Sequence, residues 1–104
     1  MKPDLDLSAN VEDDCLEVAL AGELDMGGAF RLEPELDRLL ADHDVSRLVV
    51  DLAGVRFVDS AGLGALLATH ERAKDAGIDM KLANPSEPVR RILDITGTAD
   101  VLQD

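Results

Sequence analysis

Apolar and polar or small residues alternate over Leu5-Asp6-Leu7-Ser8-Ala9-Asn10-Val11 and again over Leu16-Glu17-Val18-Ala19-Leu20-Ala21. That is the period of a strand with one buried face. The acidic Glu12-Asp13-Asp14 between them reads as a turn, so the two runs predict an antiparallel hairpin. The period then changes. Leu32, Leu36, Leu39 and Leu40 recur at helical spacing with Glu33, Glu35, Asp37 and Arg38 on the other side, predicting an amphipathic helix that ends near Asp42. Pro34 is comfortable only in a first turn, so this helix is expected to be regular from about Glu33 and not before. The β-branched run over 47–52 suits a strand covered on both faces. Leu63, Leu66, Leu67 and His70 mark one side of a second helix that Gly77 stops. Alternation returns over 78–83 and Asn84-Pro85 ends it. Pro88 through Leu93 predicts a short third helix with proline in its first turn.

The resulting order is β-β-α-β-α-β-α, without repeat or linker. Strands joined through helices need crossover connections, so 16–21, 47–52 and 78–83 are expected to run parallel with right-handed crossovers, and the first strand to pair antiparallel at or near the edge. In open α/β sheets chemistry gathers at the carboxyl ends of parallel strands. Gly22-Glu23-Leu24-Asp25, Asp59-Ser60 and Asn84 all follow such ends. Asp25 and Ser60 are therefore expected to be neighbours in space.

Composition narrows the function. The 104 residues suit one domain, and 46% hydrophobic residues supply enough apolar surface for a core. That core must be aliphatic, because Phe30 and Phe57 are the only aromatic residues. A formal charge of −12 opposes binding to nucleic acid and to anionic membrane. The single Cys15 has no internal disulfide partner and no metal-ligand company, so it is read as a buried structural thiol. No apolar N-terminal segment resembles a signal peptide, and no run approaches the ~20 residues of a membrane span, which points to the cytoplasm.

The stretch VRFVDSAGLG, from Val55 to Gly64, carries the candidate chemistry. Asp59 or Ser60 suits the N-cap of the following helix. Gly62 and Gly64 clear its first turn, so that another backbone or an anion can come close. Leu63, rather than an acid, leaves the positive end of the helix dipole uncancelled. A hydroxyl here can accept a phosphate.

LVVDLAGVRFVDSAGLGALL over 48–67, with GELD at 22–25 and ANPSEPVRRILDITG at 83–97, resembles the STAS domain of bacterial anti-sigma factor antagonists. The resemblance implies a single domain over 1–104. It implies an α/β fold with a mixed four- to five-stranded sheet, an N-terminal hairpin and about three flanking helices. It also implies a partner switch. The serine after the aspartate, here Ser60, is phosphorylated by an anti-sigma factor that is itself a serine kinase. The unphosphorylated form binds that kinase and frees a sigma factor, and the phosphorylated form does not bind. Asp25, Asp59, Ala61, Gly62, Leu63 and Gly64 surround the phosphorylation site. Asp25 and Asp59 also admit plainer readings, as a helix cap and a turn former.

An enzyme would need a base beside Ser60. His70 lies ten residues along the same helix, about 15 Å away, and His43 sits at the far end of the first helix. There is no GxxxxGK[ST] loop and no metal-ligand cluster, so no catalysis, metal or cofactor is expected. An acidic lip also opposes nucleotide binding by this chain alone. The alternative is a non-switching STAS interaction module, an accessory subunit of a transporter or signalling complex, with the same fold and surface.

Overall fold

A computed structural model describes residues 5–96; the rest of the expected 1–104 domain lies outside the described residues. The elements are β1 (Leu5–Glu12), β2 (Cys15–Leu24), α1 (Met26–Asp42), β3 (Arg47–Val58), α2 (Ser60–Asp75), β4 (Asp79–Ala83) and α3 (Glu87–Thr96). They form one four-stranded sheet in the order β1-β2-β3-β4. β1 pairs antiparallel with β2, whereas β2–β3 and β3–β4 are parallel. The hairpin closes at Glu12 opposite Cys15, with Asp13 at φ 57°, a left-handed conformation that aspartate tolerates better than most residues.

Alternation along the strands decides which face is covered. Leu16, Val18 and Leu20 of β2 and Leu48, Val50 and Leu52 of β3 are buried, as are Met80 and Leu82 of β4. The intervening Glu17, Ala19 and Ala21 are exposed, and Val49 and Asp51 are half-buried. The helices thus lie over one face, and β3 is covered on that face only rather than on both. Leu32 and Leu36 of α1, Leu66 of α2 and Val89 and Leu93 of α3 complete an almost wholly aliphatic core. Cys15 is buried as well, as expected of a structural thiol. Across the helix layer, Arg72 of α2 holds Glu33 and Asp37 of α1 at 3.1 and 2.9 Å. Burial lowers the Arg72 pKa, but the hydrogen bonds and charges of Glu33 and Asp37 outweigh it and raise the value above the ordinary one, so the clasp stays charged.

The strands run further than their sequence periods indicate. β2 continues to Leu24 and β3 to Val58, and along the way the β2–β3 register slips between Ala19 and Ala21 and again between Gly22 and Glu23. Each slip inserts an extra β3 residue and reverses the parity of the residues beyond it, so Val55 is buried out of phase with Leu48, Val50 and Leu52, and Val58, beyond the second slip, returns to their phase. The Asp51 carboxylate accepts the Ala53 N–H at 2.9 Å beside the first slip. On α2 the buried stripe runs through Ala65, Leu66, Thr69 and Ala73, so Thr69 faces inward where the leucine spacing favoured His70, which is half-buried. The Thr69 hydroxyl is satisfied by donating to the Ala65 carbonyl at 2.9 Å.

The expectation for Pro34 is overturned: α1 begins at Met26 and Pro34 lies inside it. Phe30, the residue whose carbonyl loses its helical donor, and Pro34 itself are both exposed, so water can solvate that carbonyl and the buried stripe through Leu32 and Leu36 is undisturbed. The cost of an interior proline is thus confined to one solvated bond. Pro34→Ala restores the missing N–H and is expected to stabilise the protein by about 1–3 kcal/mol. A urea midpoint equal to or below that of the native protein would count against this account.

Candidate functional site

The extension of β3 places the site. Leu24 pairs with Val58, so Asp25 and Asp59 leave adjacent parallel strands side by side and each opens a helix. The Leu24 carbonyl also accepts the Asp59 N–H at 3.3 Å, tying the two exits together. The two acids do the same local work. Asp25 is the N-cap of α1 and accepts the Gly28 N–H at 3.0 Å. Asp59 is the N-cap of α2 and accepts the Gly62 N–H at 2.9 Å. A carboxylate cap of this kind contributes about 1 kcal/mol.

Between Asp59 and Ser60 the structure therefore chooses Asp59 as the cap. Ser60 becomes the first residue of α2, exposed, and its hydroxyl has no hydrogen-bond partner among the described residues. The N–H groups of Ser60 and Ala61 point out of the helix end without intrahelical acceptors; the first turn itself contains no acid, and the Asp59 cap offsets part of its dipole. With Asp59 as cap, the capping-box position is Gly62 and not Leu63.

The neighbouring residues divide by exposure. Gly62 is buried, and a Cβ there would stand 1.9 Å from the Leu24 carbonyl oxygen. Its missing side chain admits the end of β2, leaving no room for an anion. Leu63 is 8% exposed and belongs to the core. Gly64 is exposed, and a Cβ added there would meet nothing within 4 Å; Ala61 is half-buried, and both border the surface around Ser60. Asn84 does not join them. β4 ends opposite Asp51, well short of Val58, and Asn84 instead borders a depression on the uncovered sheet face with Ser8, Asn10 and Asp51. Beyond β4, α3 takes over as the neighbour of β3, with Ser86 Oγ donating to the Val55 carbonyl at 2.5 Å.

Beside Ser60 the first turns of α1 present an apolar surface that the leucine pattern did not reveal. Met26 and Phe30 are 62% and 75% exposed. With Ala29, Glu33 and Ala61 they line a cleft of about 180 Å³. The available signal in the sequence was that Met26 and Phe30 stand one turn apart and off the Leu32–Leu36 stripe. Among the described residues no group of three or more His, Cys, Asp or Glu is arranged to hold a metal ion, and no helix is long and apolar enough to cross a membrane.

The STAS domain profile matches residues 6–103. An anti-sigma-B factor antagonist of Bacillus subtilis is 34% identical over 102 residues, which cover 98% of this chain and 90% of that protein. Among solved structures, an anti-sigma factor antagonist from Mycobacterium paratuberculosis is 29% identical, with a TM-score of 0.84 over 97% of this chain and 86% of the other. The anti-sigma factor antagonist SpoIIAA in its unphosphorylated form, 20% identical, superposes with a TM-score of 0.80 over 95% of this chain and 87% of the other.

Proposed function

The chain belongs to the STAS domain family, and from that premise we propose that it is an anti-sigma factor antagonist working as a phosphorylation-controlled partner switch. In its unphosphorylated form it binds an anti-sigma factor that is a serine kinase, and so releases a sigma factor for transcription. Phosphorylation of Ser60 ends the binding. The observation that carries this reading is the division of labour at the start of α2: Asp59 caps the helix, which leaves the Ser60 hydroxyl exposed and uncommitted. A serine that served as the cap would have to give up a helix-terminal bond to react. This one gives up nothing.

In the reaction the kinase supplies ATP and the base. Ser60 Oγ attacks the γ-phosphorus, its proton passes to the base, and the bond to the ADP oxygen breaks. The phosphate then sits at a helix start whose Ser60 and Ala61 N–H groups are free to donate, so the fold can hold the modified state. Asp25 and Asp59, both committed as caps, bring negative charge beside it and do not act as bases. The relatives of this chain are named for acting on other proteins, and its exposed, acidic strand ends suit a protein partner better than nucleic acid.

The test is phosphate transfer. The anti-sigma factors of the source genome are purified one by one and incubated with this protein and labelled ATP, and the modified residue is located by mass spectrometry. One of them is expected to label Ser60 and to leave Ser60→Ala unlabelled. Binding without any labelling would favour the non-switching interaction module.

A further inference from the structure

This inference rests on the partner-switch reading and concerns how the partner is held. Phe30 is one of two aromatic residues in the chain, and it stands 75% exposed one helical turn from Met26, which is 62% exposed. Both flank the cleft that reaches Ala61, the residue after Ser60. Large apolar side chains left in water beside a reactive residue, while the core is filled by leucine and valine, are a surface awaiting a partner.

The polar groups around them specify its chemistry. Glu33 lines the cleft, and Asp25 and Asp59 stand at the adjoining helix starts. Arg72 is shared between Glu33 and Asp37, so this trio still carries one negative charge in excess. Pro34 has no N–H to give the Phe30 carbonyl, which leaves a backbone acceptor without its helical donor beside the exposed ring. The rim thus offers acceptors and negative charge. A complementary surface must bring donors and positive charge around an apolar socket. A second copy of this chain fits poorly, because a two-fold contact here sets the same carboxylates against one another.

We propose that Phe30, backed by Met26, is the anchor by which the anti-sigma factor docks beside Ser60, seated in an apolar socket on that partner whose rim carries arginine or lysine. The anchor lies on α1 and the modified hydroxyl on α2, so holding and modification are separable functions of one surface.

Binding of native protein, Phe30→Ala, Phe30→Leu and Met26→Ala to the purified anti-sigma factors of the source genome, with ADP present, tests this. Phe30→Ala is expected to weaken binding about 30-fold or more, and Phe30→Leu to recover part of the loss. Native affinity should fall as salt is raised. Urea midpoints should be unchanged, since both side chains are exposed. At saturating Phe30→Ala protein the rate of Ser60 labelling should remain that of the native protein, with only the half-saturating concentration raised. Equal affinities of native and Phe30→Ala protein would overturn the anchor and leave the partner switch standing. Failure of the native protein to bind any anti-sigma factor would overturn both. A dimer of native protein that Phe30→Ala dissolves, with partner affinity unchanged, would assign the patch to self-association and overturn the proposal.

Discussion

Gly62→Ala is expected to remove about 4 kcal/mol of stability, a large part of the 5–15 kcal/mol typical of a whole domain. The added Cβ would lie 1.9 Å from the Leu24 carbonyl oxygen and 2.8 Å from both the Leu24 carbonyl carbon and Cγ. No rotamer relieves that contact, because the obstacle is mostly strand backbone. Leu24 is fixed by its pairing with Val58 and by the bond it accepts from the Asp59 N–H. α2 must therefore retreat from the sheet by more than an ångström, on the order of the overlap itself. Retreat stretches the Gly62 bond to Asp59 and lifts the buried Leu63 and Leu66 from their contacts. Overpacking of this kind costs about 1–3 kcal/mol or more, and loss of the cap about 1 kcal/mol.

Gly64→Ala is the control. It lies two residues along the same helix, exposed, with nothing within 4 Å of an added Cβ. There alanine is expected to stabilise by ~0.5–1 kcal/mol, through the lower backbone entropy of the unfolded chain. Urea unfolding of both variants decides the matter. Equal midpoints for native and Gly62→Ala protein would mean that α2 does not approach β2 so closely.

Phosphorylation of Ser60 is expected to lower affinity for the anti-sigma factor about 100-fold or more, or ~2.8 kcal/mol at ~1.4 kcal/mol per tenfold. The physical reason lies in what the partner must place opposite Ser60. To transfer phosphate, the kinase holds the γ-phosphate of ATP against the hydroxyl, so the region it presents there is already anionic with nucleotide bound. A phosphoserine adds about −1.5 to −2 charge and three oxygens at that point. Phosphate then meets phosphate, with Asp25 and Asp59 adding to the field from behind. The proposed basic rim already pairs with Glu33, Asp25 and Asp59, so it has little charge left to offset this contact.

Folding should be little affected, because Ser60 is exposed and the α2 start has free N–H donors and no acid in its first turn. Ser60→Asp, carrying about one charge and no tetrahedral bulk, should lose only part of the affinity. Ser60→Ala should bind like the native protein. Calorimetric titration of the four forms against one anti-sigma factor, with their unfolding midpoints, separates an interface switch from a folding switch. Equal affinity of the native and phosphorylated forms would refute the switch. A phosphorylated form that unfolds would place the effect in the fold instead.

Local periods, turn residues and composition were enough for the order of elements, the hairpin and the aliphatic core, and the resemblance of GELD and DSAGLG to the STAS family singled out the serine worth testing. Leu16, Val18 and Leu20 alternate within one strand, and Leu32 and Leu36 stack within one helix, so no distant residue is needed to read them. The rest depends on contacts between elements far apart along the chain. The reach of β3 to Val58 is not legible in its period, because bulges against β2 reverse the parity of its side chains and a bulge is a property of a strand pair. Asn84 falls away from the site because β4 stops opposite Asp51 while β3 continues. Pro34 survives inside α1 because it and Phe30 lie on the exposed side of the helix, where water can reach the carbonyl left without a donor, and exposure is set by neighbours distant in sequence. Asp59, and not Ser60, is the cap of α2, whose first turn lies against the Leu24 carbonyl of a different strand. The same approach explains Gly62, whose role depends on one carbonyl oxygen of another strand, a distance that no pattern along a chain encodes.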